Sequence, residues 1–294
     1  MKLLKILIIG LILSMTADIA RGADYRKEIT VAADGSGDCR TIGEALEYIR
    51  AYMDYRVTVN IRNGEYHEKL IIPSWLENVD FIGEDAEKTI IICNDYAKKD
   101  NMGTFRTYTV RVDGCHLTFR NLTIVNNAGR VGQAVALHTE GTDLTFINCR
   151  FLGDQDTLFL AGHDSEVKFE DCYVEGTTDF IFGPATAWFD RCEIRSKADS
   201  YITAASTPQH VETGFVFRNC RLTADEGVKK VYLGRPWRPY ASTSFINCEM
   251  GGHITPAGWD NWRDPSNEKT ARYSETGSFG PGASGPRVGW ATTR

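Results

Sequence analysis

A cysteine repeat in the second half of the chain limits the folds that this sequence can adopt. Each copy has a phenylalanine three places before a cysteine, then a polar and an apolar residue: FINCRFLG, FEDCYVEG, FDRCEIRS, FRNCRLTA and FINCEMGG. The cysteines are Cys149, Cys172, Cys192, Cys220 and Cys248, at intervals of 23, 20, 28 and 28 residues. Looser copies surround Cys93 and Cys115. Short apolar runs that recur at such periods are typical of solenoids.

Each unit has the pattern of a strand, a turn and a second strand, with Gly, Asn and Asp at the corners. We therefore predict an all-β fold, a parallel β-helix whose coils stack about 4.8 Å apart. The repeated cysteines then form an inward column, because free cysteine is among the most buried residue types. Disulfides between neighbouring rungs are the alternative, since eight cysteines in an exported chain can form a disulfide framework.

Two segments fall outside the repeat. The stretch from Thr41 to Tyr52 predicts a short amphipathic helix that caps the open N-terminal end of the solenoid. Its predicted buried face consists of Ile42, Ala45, Leu46 and Ile49. The tail from Gly251 to Arg294 is rich in Gly, Pro and Trp, which predicts loops packed along the solenoid.

The N-terminus predicts an exported protein. Residues 1–22 place two lysines before an apolar run from Ile6 to Met15, and small residues follow in a cleavage pattern. The run is shorter than the roughly 20 residues that span a bilayer, so a short transmembrane anchor is the less favoured alternative. We expect a signal peptide at 1–22, a single domain at 23–294, and a periplasmic or extracellular location.

Charge and motif content exclude several classes of function. The net charge of −6 argues against nucleic-acid binding, which normally needs a basic face. The histidines and cysteines lack the spacings of zinc sites. No G-x-S-x-G motif is present, which argues against an α/β-hydrolase.

Two aspartates occupy equivalent positions on adjacent predicted coils. Asp156 follows Cys149 by seven residues, and Asp179 follows Cys172 by seven. The same count places Gln133 one coil earlier, which predicts a vertical stack of Gln133, Asp156 and Asp179. Carboxylates on neighbouring strands lie on the order of 5 Å apart. One pKa of such a pair rises while the other stays low, so the pair supplies a proton donor and an anionic nucleophile.

Further candidates lie near these residues or in the later loops. Arg235 in LGRPWRP is a candidate partner, because a guanidinium holds a facing carboxylate ionised and oriented. Trp237 and Trp259 lie in loop-like segments and suit stacking on a sugar face, with packing against the core as the alternative. Asp154, in the same stretch as Asp156, is interpreted as a corner residue.

These motifs resemble those of the pectin methylesterases, or pectinesterases. The resemblance rests on GEYHEK, QAVAL, GDQDTL, DFIFG and LGRPW in order, and on the closing PAGWDNW, and covers nearly the whole predicted mature chain. It implies a right-handed parallel β-helix that hydrolyses the methyl esters of homogalacturonan (pectin). The products are methanol and pectate, and the reaction requires no metal or organic cofactor.

The resemblance also implies a role for each matched residue. Asp179 matches the nucleophile, and Asp156 matches the general acid that protonates the leaving methoxide and then acts as base for water. Gln133 and Gln155 match the amides of an oxyanion hole. Arg235 matches the residue that orients the nucleophile. The substrate-binding aromatics correspond to Trp237, Trp259, Phe159 and Phe182.

The chain departs from the family where many relatives carry a basic residue, because Asp164 and Glu166 stand there instead. This affects how a partly de-esterified, negatively charged chain is held, and other esters remain alternative substrates. YITAAST looks more like bacterial members than plant ones. We expect a monomer with pectin as its partner.

Two other classes of function remain open. A β-helical glycosidase or lyase is one, since carboxylates about 5 Å apart also suit a retaining glycosidase. The two glutamines favour ester hydrolysis, which needs an oxyanion hole. A non-catalytic carbohydrate-binding β-helix or adhesin is the other, although that function requires no aligned aspartates.

Overall fold

The structure, a computed structural model, describes residues 26–294, so the predicted signal peptide lies outside the described residues. The strands in chain order begin with β1 (Glu28–Val31), β2 (Val57–Ile61), β3 (Gly64–Tyr66), β4 (Leu70–Ile72), β5 (Glu77–Gly83), β6 (Thr89–Cys93), β7 (Val110–Val112), β8 (Cys115–Arg120), β9 (Thr123–Asn126), β10 (Leu137–Thr139), β11 (Leu144–Ile147), β12 (Arg150–Leu152) and β13 (Leu158–Leu160). They continue with β14 (Glu166–Glu170), β15 (Tyr173–Gly176), β16 (Ile181–Gly183), β17 (Thr186–Asp190), β18 (Glu193–Ser196), β19 (Tyr201–Ala205), β20 (Phe215–Arg218), β21 (Arg221–Ala224), β22 (Tyr232–Gly234), β23 (Ser242–Ile246), β24 (Glu249–Met250), β25 (Arg272–Thr276) and β26 (Thr292–Thr293). The helix α1 is Ile42–Glu47, and short 3₁₀ turns are Lys99–Asn101, Thr104–Arg106, Asn267–Lys269 and Pro281–Ala283.

These strands form three parallel sheets that run along the molecule. The eleven-stranded sheet has the order β1-β2-β5-β8-β11-β14-β17-β20-β23-β25-β26, and the eight-stranded sheet has β24-β21-β18-β15-β12-β9-β6-β3. The seven-stranded sheet has β22-β19-β16-β13-β10-β7-β4. Successive strands such as β11, β12 and β13 contribute one strand to each sheet, which makes one coil. The predicted parallel β-helix is confirmed.

The strand register reproduces the cysteine spacing. In the eleven-stranded sheet, Leu144 pairs with Val167, Val167 with Ala187, Ala187 with Phe215, and Phe215 with Thr243. Each of these steps along the chain equals the corresponding interval between the repeated cysteines, from Cys149 to Cys248. The repeat in the sequence is therefore one coil of the solenoid.

A column of stacked phenylalanine rings fills the core beside this sheet. Neighbouring rings have centroids between 4.5 and 5.1 Å apart and are tilted by at most 13°. This spacing follows from the separation of about 4.8 Å between parallel strands. The column consists of Phe81, Phe119, Phe146, Phe169, Phe189, Phe217 and Phe245.

The repeated cysteines form a second buried column, as predicted. Each thiol lies 3.4 to 3.5 Å from the carbonyl oxygen of a column phenylalanine one coil earlier, for example Cys192 from Phe169. The position therefore takes a small apolar side chain that is also a weak donor. All eight cysteines are free, so the alternative of disulfides between neighbouring coils is wrong.

The residue before each repeated cysteine turns the corner in a left-handed conformation. Its φ lies between +50° and +55° in all five copies. Asn and Asp tolerate this region best among residues with a side chain, and they occupy four of the five corners. The exception is Arg191, whose guanidinium is paired with Asp171 at 2.8 Å and with Asp190.

The predicted capping helix is present but shorter than expected, because α1 ends at Glu47. Thr41 and Glu44 form a capping box, and the carboxylate of Glu68 accepts hydrogen bonds from the amides of Ile42 and Gly43 at 2.8 Å each. These contacts satisfy free backbone donors of the first turn. The predicted apolar face is buried, including Ile49 beyond the helix end. The matched GEYHEK motif therefore has a structural role here.

The C-terminal tail contains more than the predicted loops. Strand β25 pairs with β23 and extends the eleven-stranded sheet, and β26 pairs with β25. Tyr273 of β25 is buried and stacks on Trp259 with centroids 4.3 Å apart. The tail thus closes the C-terminal end of the core. Within residues 26–294, no helix is long and apolar enough to cross a membrane.

Candidate active site

Asp156, Asp179 and Arg235 gather beside the seven-stranded sheet because each directly flanks one of its strands. Asp156 precedes β13 and Asp179 precedes β16 by the same number of residues. Leu158 pairs with Ile181, the same step along the chain as from Asp156 to Asp179, so the two aspartates occupy equivalent positions on adjacent coils. The predicted register of this pair is confirmed.

The predicted position of Gln133 is wrong by one residue. Gln133 forms a parallel bridge with Gln155, not with Asp156. The reason is the coil length, because both this bridge and the pair between Leu137 and Leu158 are shorter steps along the chain than the one from Leu158 to Ile181. The two glutamines therefore lie side by side, and both line the same cavity as the aspartates.

Arg235 binds the carboxylate of Asp179 with both ends of its guanidinium. The Nε donates to Oδ1 at 2.9 Å and an Nη donates to Oδ2 at 2.6 Å. The guanidinium carbon lies 3.9 Å from the ring centroid of Tyr201 and 3.7 Å from that of Trp262. Two-point pairing between stacked aromatic rings holds the arginine in one orientation. Asp179 is therefore oriented as well as paired.

The two buried carboxylates have different electrostatic surroundings. Burial raises the pKa of Asp156 to about 8, and the charge of Asp179 adds to the rise, while Arg235 and a hydrogen bond from Gln155 oppose it. Burial also raises the pKa of Asp179, but the bidentate Arg235 opposes this directly. These surroundings favour the protonated form of Asp156 and, through Arg235, the ionised form of Asp179.

Both aspartates also have an uncommon backbone conformation. The φ of Asp156 is +67° and that of Asp179 is +50°, in the left-handed region. Aspartate tolerates this region well, and the corner before each repeated cysteine adopts it too, so the surrounding structure has to hold the turn. Backbone bonds provide that hold here: the amide of Asp156 donates to the carbonyl of Thr178, and that of Asp179 to the carbonyl of Tyr201.

The carboxylates open into a surface groove lined by aromatic side chains. A cavity of about 260 Å³ contains Gln133, Gln155 and both aspartates, and its apolar walls include Phe105, Phe182, Trp237 and Trp262. A neighbouring cavity of about 490 Å³ shares Phe105 and Trp237 with it and includes Phe159. Phe159 stacks on Phe182 with centroids 4.6 Å apart. Three of the four predicted substrate-binding aromatics therefore line one groove.

The fourth, Trp259, does not line this groove, so its predicted contact with substrate is wrong. Its side chain is 1% exposed, and its indole nitrogen donates to Glu275 at 3.1 Å inside the core. Trp262, three residues later, lines the cavity instead. The motif PAGWDNW contains both tryptophans, but sequence alone did not indicate which one faces the groove. Phe105, also absent from the sequence prediction, reaches the groove from a 3₁₀ turn.

Charged side chains lie along the neighbouring cavity. Arg106, Arg111 and Arg238 all line it. Arg111 is paired with Asp113 at 2.7 Å, and Arg238 lies over the ring of Trp237 at 4.7 Å. Asp164, whose acidic side chain is a predicted departure from the family, is paired with His210 at 3.4 Å. The groove therefore has cationic side chains despite this departure.

One group of side chains in residues 26–294 brings three atoms of metal-ligating type within 4.8 Å of one another: Glu77, Cys115 and His116. It belongs to β5 and β8 of the eleven-stranded sheet, and none of its members lines the aspartate cavity.

The fold and the site together define a class: a parallel β-helix with two adjacent buried carboxyl groups, one of them paired with a guanidinium, in an aromatic groove. The chain belongs to the pectinesterase family, whose model matches residues 28–294. It is similar to the solved pectin methylesterase from carrot, with a TM-score of 0.85 and 32% identity over 90% of this chain and 87% of that one.

Curated relatives agree with this assignment. Pectinesterase 31 of Arabidopsis thaliana is 35% identical, over 90% of this chain and 86% of its own length. A probable pectinesterase/pectinesterase inhibitor of the same plant, number 21, is 35% identical over 92% of this chain. This chain spans 42% of the length of that second relative.

Proposed function

We propose that this protein is a carboxylic ester hydrolase that removes methyl esters from the galacturonosyl residues of pectin. One observation carries the proposal: of two adjacent buried carboxyl groups, only Asp179 is paired with a guanidinium, while burial raises the pKa of Asp156 to about 8. Ester hydrolysis by a carboxylate needs such a pair, one group to attack and one to donate a proton. Membership of the pectinesterase family supports the choice of ester.

In the first step, the ionised carboxylate of Asp179 attacks the ester carbonyl carbon. A C–O bond forms, and the carbonyl oxygen becomes an oxyanion that the amides of Gln133 and Gln155 stabilise by donating hydrogen bonds. The tetrahedral intermediate then loses methoxide, which takes the proton of Asp156 and leaves as methanol. The product is an acyl-enzyme, an anhydride between Asp179 and the substrate carboxyl.

In the second step, Asp156 has become a carboxylate and acts as the base. It removes a proton from water, and the resulting hydroxide attacks the carbonyl carbon of the anhydride. The bond to Asp179 breaks, which restores the ionised nucleophile and releases the substrate carboxyl group, whose proton passes to solvent to leave the carboxylate. Arg235 stabilises the carboxylate of Asp179 each time that it is released. Asp156 ends the cycle protonated, as it began.

The groove supports a polymeric sugar substrate. Phe159, Phe182, Trp237 and Trp262 offer flat apolar faces to pyranose rings and methyl groups. Arg106 and Arg238 in the neighbouring cavity place positive charge where de-esterified galacturonate would lie. We further propose export by a signal peptide at 1–22, action outside the cytoplasm as a monomer, and a single domain at 23–294.

Methanol release from highly methylated pectin tests the proposal. The wild-type protein is expected to release methanol without new reducing ends or unsaturated ends. Asp179→Ala should abolish release in a protein that still folds, with a lower thermal unfolding midpoint because the guanidinium of Arg235 loses its buried partner. Retained activity in that variant would rule out Asp179 as the nucleophile. New reducing ends without methanol would favour a glycosidase instead.

A further inference from the structure

Asp154 lies next to the proposed oxyanion donor Gln155, and its surroundings are not those of an ordinary corner residue. Its side chain is 12% exposed, yet it carries a carboxylate. Its Oδ1 is buried and accepts no hydrogen bond from the described part of the protein. A buried carboxylate is costly unless cations lie close to it. The contacts that compensate this charge therefore indicate what the residue does.

Lys197 supplies the main compensating charge. Its Nζ lies 3.2 Å from Oδ1 of Asp154 and donates a hydrogen bond to the carbonyl oxygen of Gly153 at 2.8 Å. The same ammonium lies 3.2 Å from a carboxylate oxygen of Glu175. Lys197 follows β18 and Asp154 follows β12, with β15 between them in the eight-stranded sheet. One lysine thus joins three successive coils.

Arg130 extends this cluster to the second proposed oxyanion donor. Its Nε lies 3.6 Å from Oδ1 of Asp154, and an Nη donates to the carbonyl oxygen of Lys197 at 2.8 Å. Arg130 stands three residues before Gln133 in the chain. The cluster of Arg130, Asp154, Glu175 and Lys197 therefore includes a residue from each of the two chain segments that carry the glutamines.

Backbone contacts make the turn itself tight. The carbonyl oxygen of Asp154 accepts from the amide of Thr177 at 2.8 Å, and the hydroxyl of Thr157 donates to it at 3.3 Å. A Cβ on Gly153 would lie 2.7 Å from the Thr157 hydroxyl, so the chain has little room to move there. A shift of the charged side chains would therefore be transmitted to Gln155.

We propose that Asp154 and Lys197, assisted by Arg130, are positioning residues that hold the amide of Gln155 in register with that of Gln133. This inference rests on the proposed oxyanion role of the two glutamines. None of the three charged residues touches the reacting atoms. They act by fixing where two neutral donors point, which matters because an oxyanion hole stabilises the transition state only when its donors are preorganised.

The test compares Lys197→Met, Lys197→Arg and Asp154→Asn by initial rates of methanol release. Lys197→Met and Asp154→Asn are expected to lower kcat about tenfold, with KM within about twofold, because small misplacement of a catalytic group costs rate more than binding. Lys197→Arg keeps the charge and is expected to restore kcat to within about threefold of wild type. Asp225→Asn, which breaks the pair between Asp225 and Arg195 of β18, is the control and should leave kcat unchanged.

A double-mutant cycle with Gln155→Ala separates this inference from the proposed function. Gln155→Ala alone is expected to lower kcat by about 10²- to 10³-fold. In that background, Lys197→Met should lower kcat less than about threefold, because the group that it positions is gone. If kcat falls in Gln155→Ala but not in Lys197→Met and Asp154→Asn, the positioning role is overturned and the oxyanion role is not. Unchanged kcat in Gln155→Ala would overturn the oxyanion role and, with it, this inference.

Thermal unfolding of each variant distinguishes positioning from folding. Asp154→Asn is isosteric, so it carries the test if Lys197→Met does not fold. A fall in kcat that Lys197→Arg does not restore, or that is equally large in the Gln155→Ala background, would mean that the cluster only stabilises the fold.

Discussion

The phenylalanine column and the aspartate pair use the same strand register with opposite consequences. In the column, one coil places Phe169 directly over Phe146 and the next places Phe189 over Phe169, which gives stacked apolar rings at 4.5 to 5.1 Å. In the groove, one coil places Asp179 level with Asp156, which gives two buried carboxylates. Stacking identical apolar groups stabilises the fold. Stacking two carboxyl groups raises the pKa of Asp156 instead.

The difference shows how a solenoid separates stability from chemistry. The core can repeat one side chain on every coil because apolar contacts have no direction. The groove cannot, since each added charge needs a partner of its own. Arg235, from the end of β22, supplies that partner to Asp179 alone. The asymmetry that catalysis requires therefore comes from one residue outside the repeat.

Asp156→Asn is expected to have the largest effect on the groove. The amide fills the same volume but donates no acidic proton, so kcat should fall by about 10²- to 10⁴-fold. Initial-rate measurements of methanol release would show this. A kcat within tenfold of wild type would contradict the acid role of Asp156.

The pH dependence of the wild-type protein reports the same residue. The pKa of Asp156 is raised to about 8 in the folded protein, against about 3.9 in an unfolded chain. The acid must be protonated when methoxide leaves, so kcat should fall as pH rises through about 8. The free energy of unfolding should also fall between these two pKa values, because only the unfolded state releases the proton there. Asp156→Asn should reduce that slope, with the raised pKa of Asp179 leaving part of it. A slope as steep as in the wild-type protein would contradict the raised pKa of Asp156.

The two tryptophans of PAGWDNW offer a matched test of core against groove. Trp259→Ala should lower the free energy of unfolding by about 3–5 kcal/mol, since it leaves a cavity beneath Tyr273, and should leave KM unchanged. Trp262→Ala should change stability little but lower kcat/KM about tenfold, because it removes one face of the stack that holds Arg235. Denaturant unfolding and steady-state kinetics check both. The opposite pattern would place Trp259 in the substrate groove.

Arg235→Lys sharpens the distinction between charge and geometry at Asp179. Lysine keeps the positive charge but loses the two-point pairing and the stacking on Tyr201 and Trp262. We expect kcat to fall about 10²-fold, which corresponds to a nucleophile that is ionised but poorly oriented. The measurement is kcat on methylated pectin across pH. Full activity would show that charge alone is enough.

Cys192→Ala is expected to have the smallest effect. It removes one thiol from the buried column and should lower the free energy of unfolding by about 1 kcal/mol, with kcat unchanged. Cys93→Ala, at a partly exposed position outside the column, is the control and should cost less. Chemical denaturation of both variants gives the comparison. Equal losses would mean that the column has no special packing role.

Much of this molecule could be predicted from local patterns. The coil length, the inward cysteines and the register of Asp156 with Asp179 all follow from counting along a repeat whose neighbours are adjacent in sequence. The same count wrongly pairs Gln133 with Asp156, because the coil that carries Gln133 is shorter than the coil between β13 and β16 on which the count relies. Counting therefore succeeds where the coil length is visible in the sequence and fails where it changes.

The sequence by itself determined the solenoid, its period and which two aspartates meet, because parallel strands one coil apart must align their side chains. Only the tertiary structure decided that Arg235 pairs with Asp179, that Trp262 and not Trp259 lines the groove, and that the glutamines lie side by side. Those outcomes depend on loops of irregular length, in which burial is set by contacts with residues far away in the chain. The turn residue Asp154 belongs to this second group, since the lysine that compensates its charge lies two coils further along.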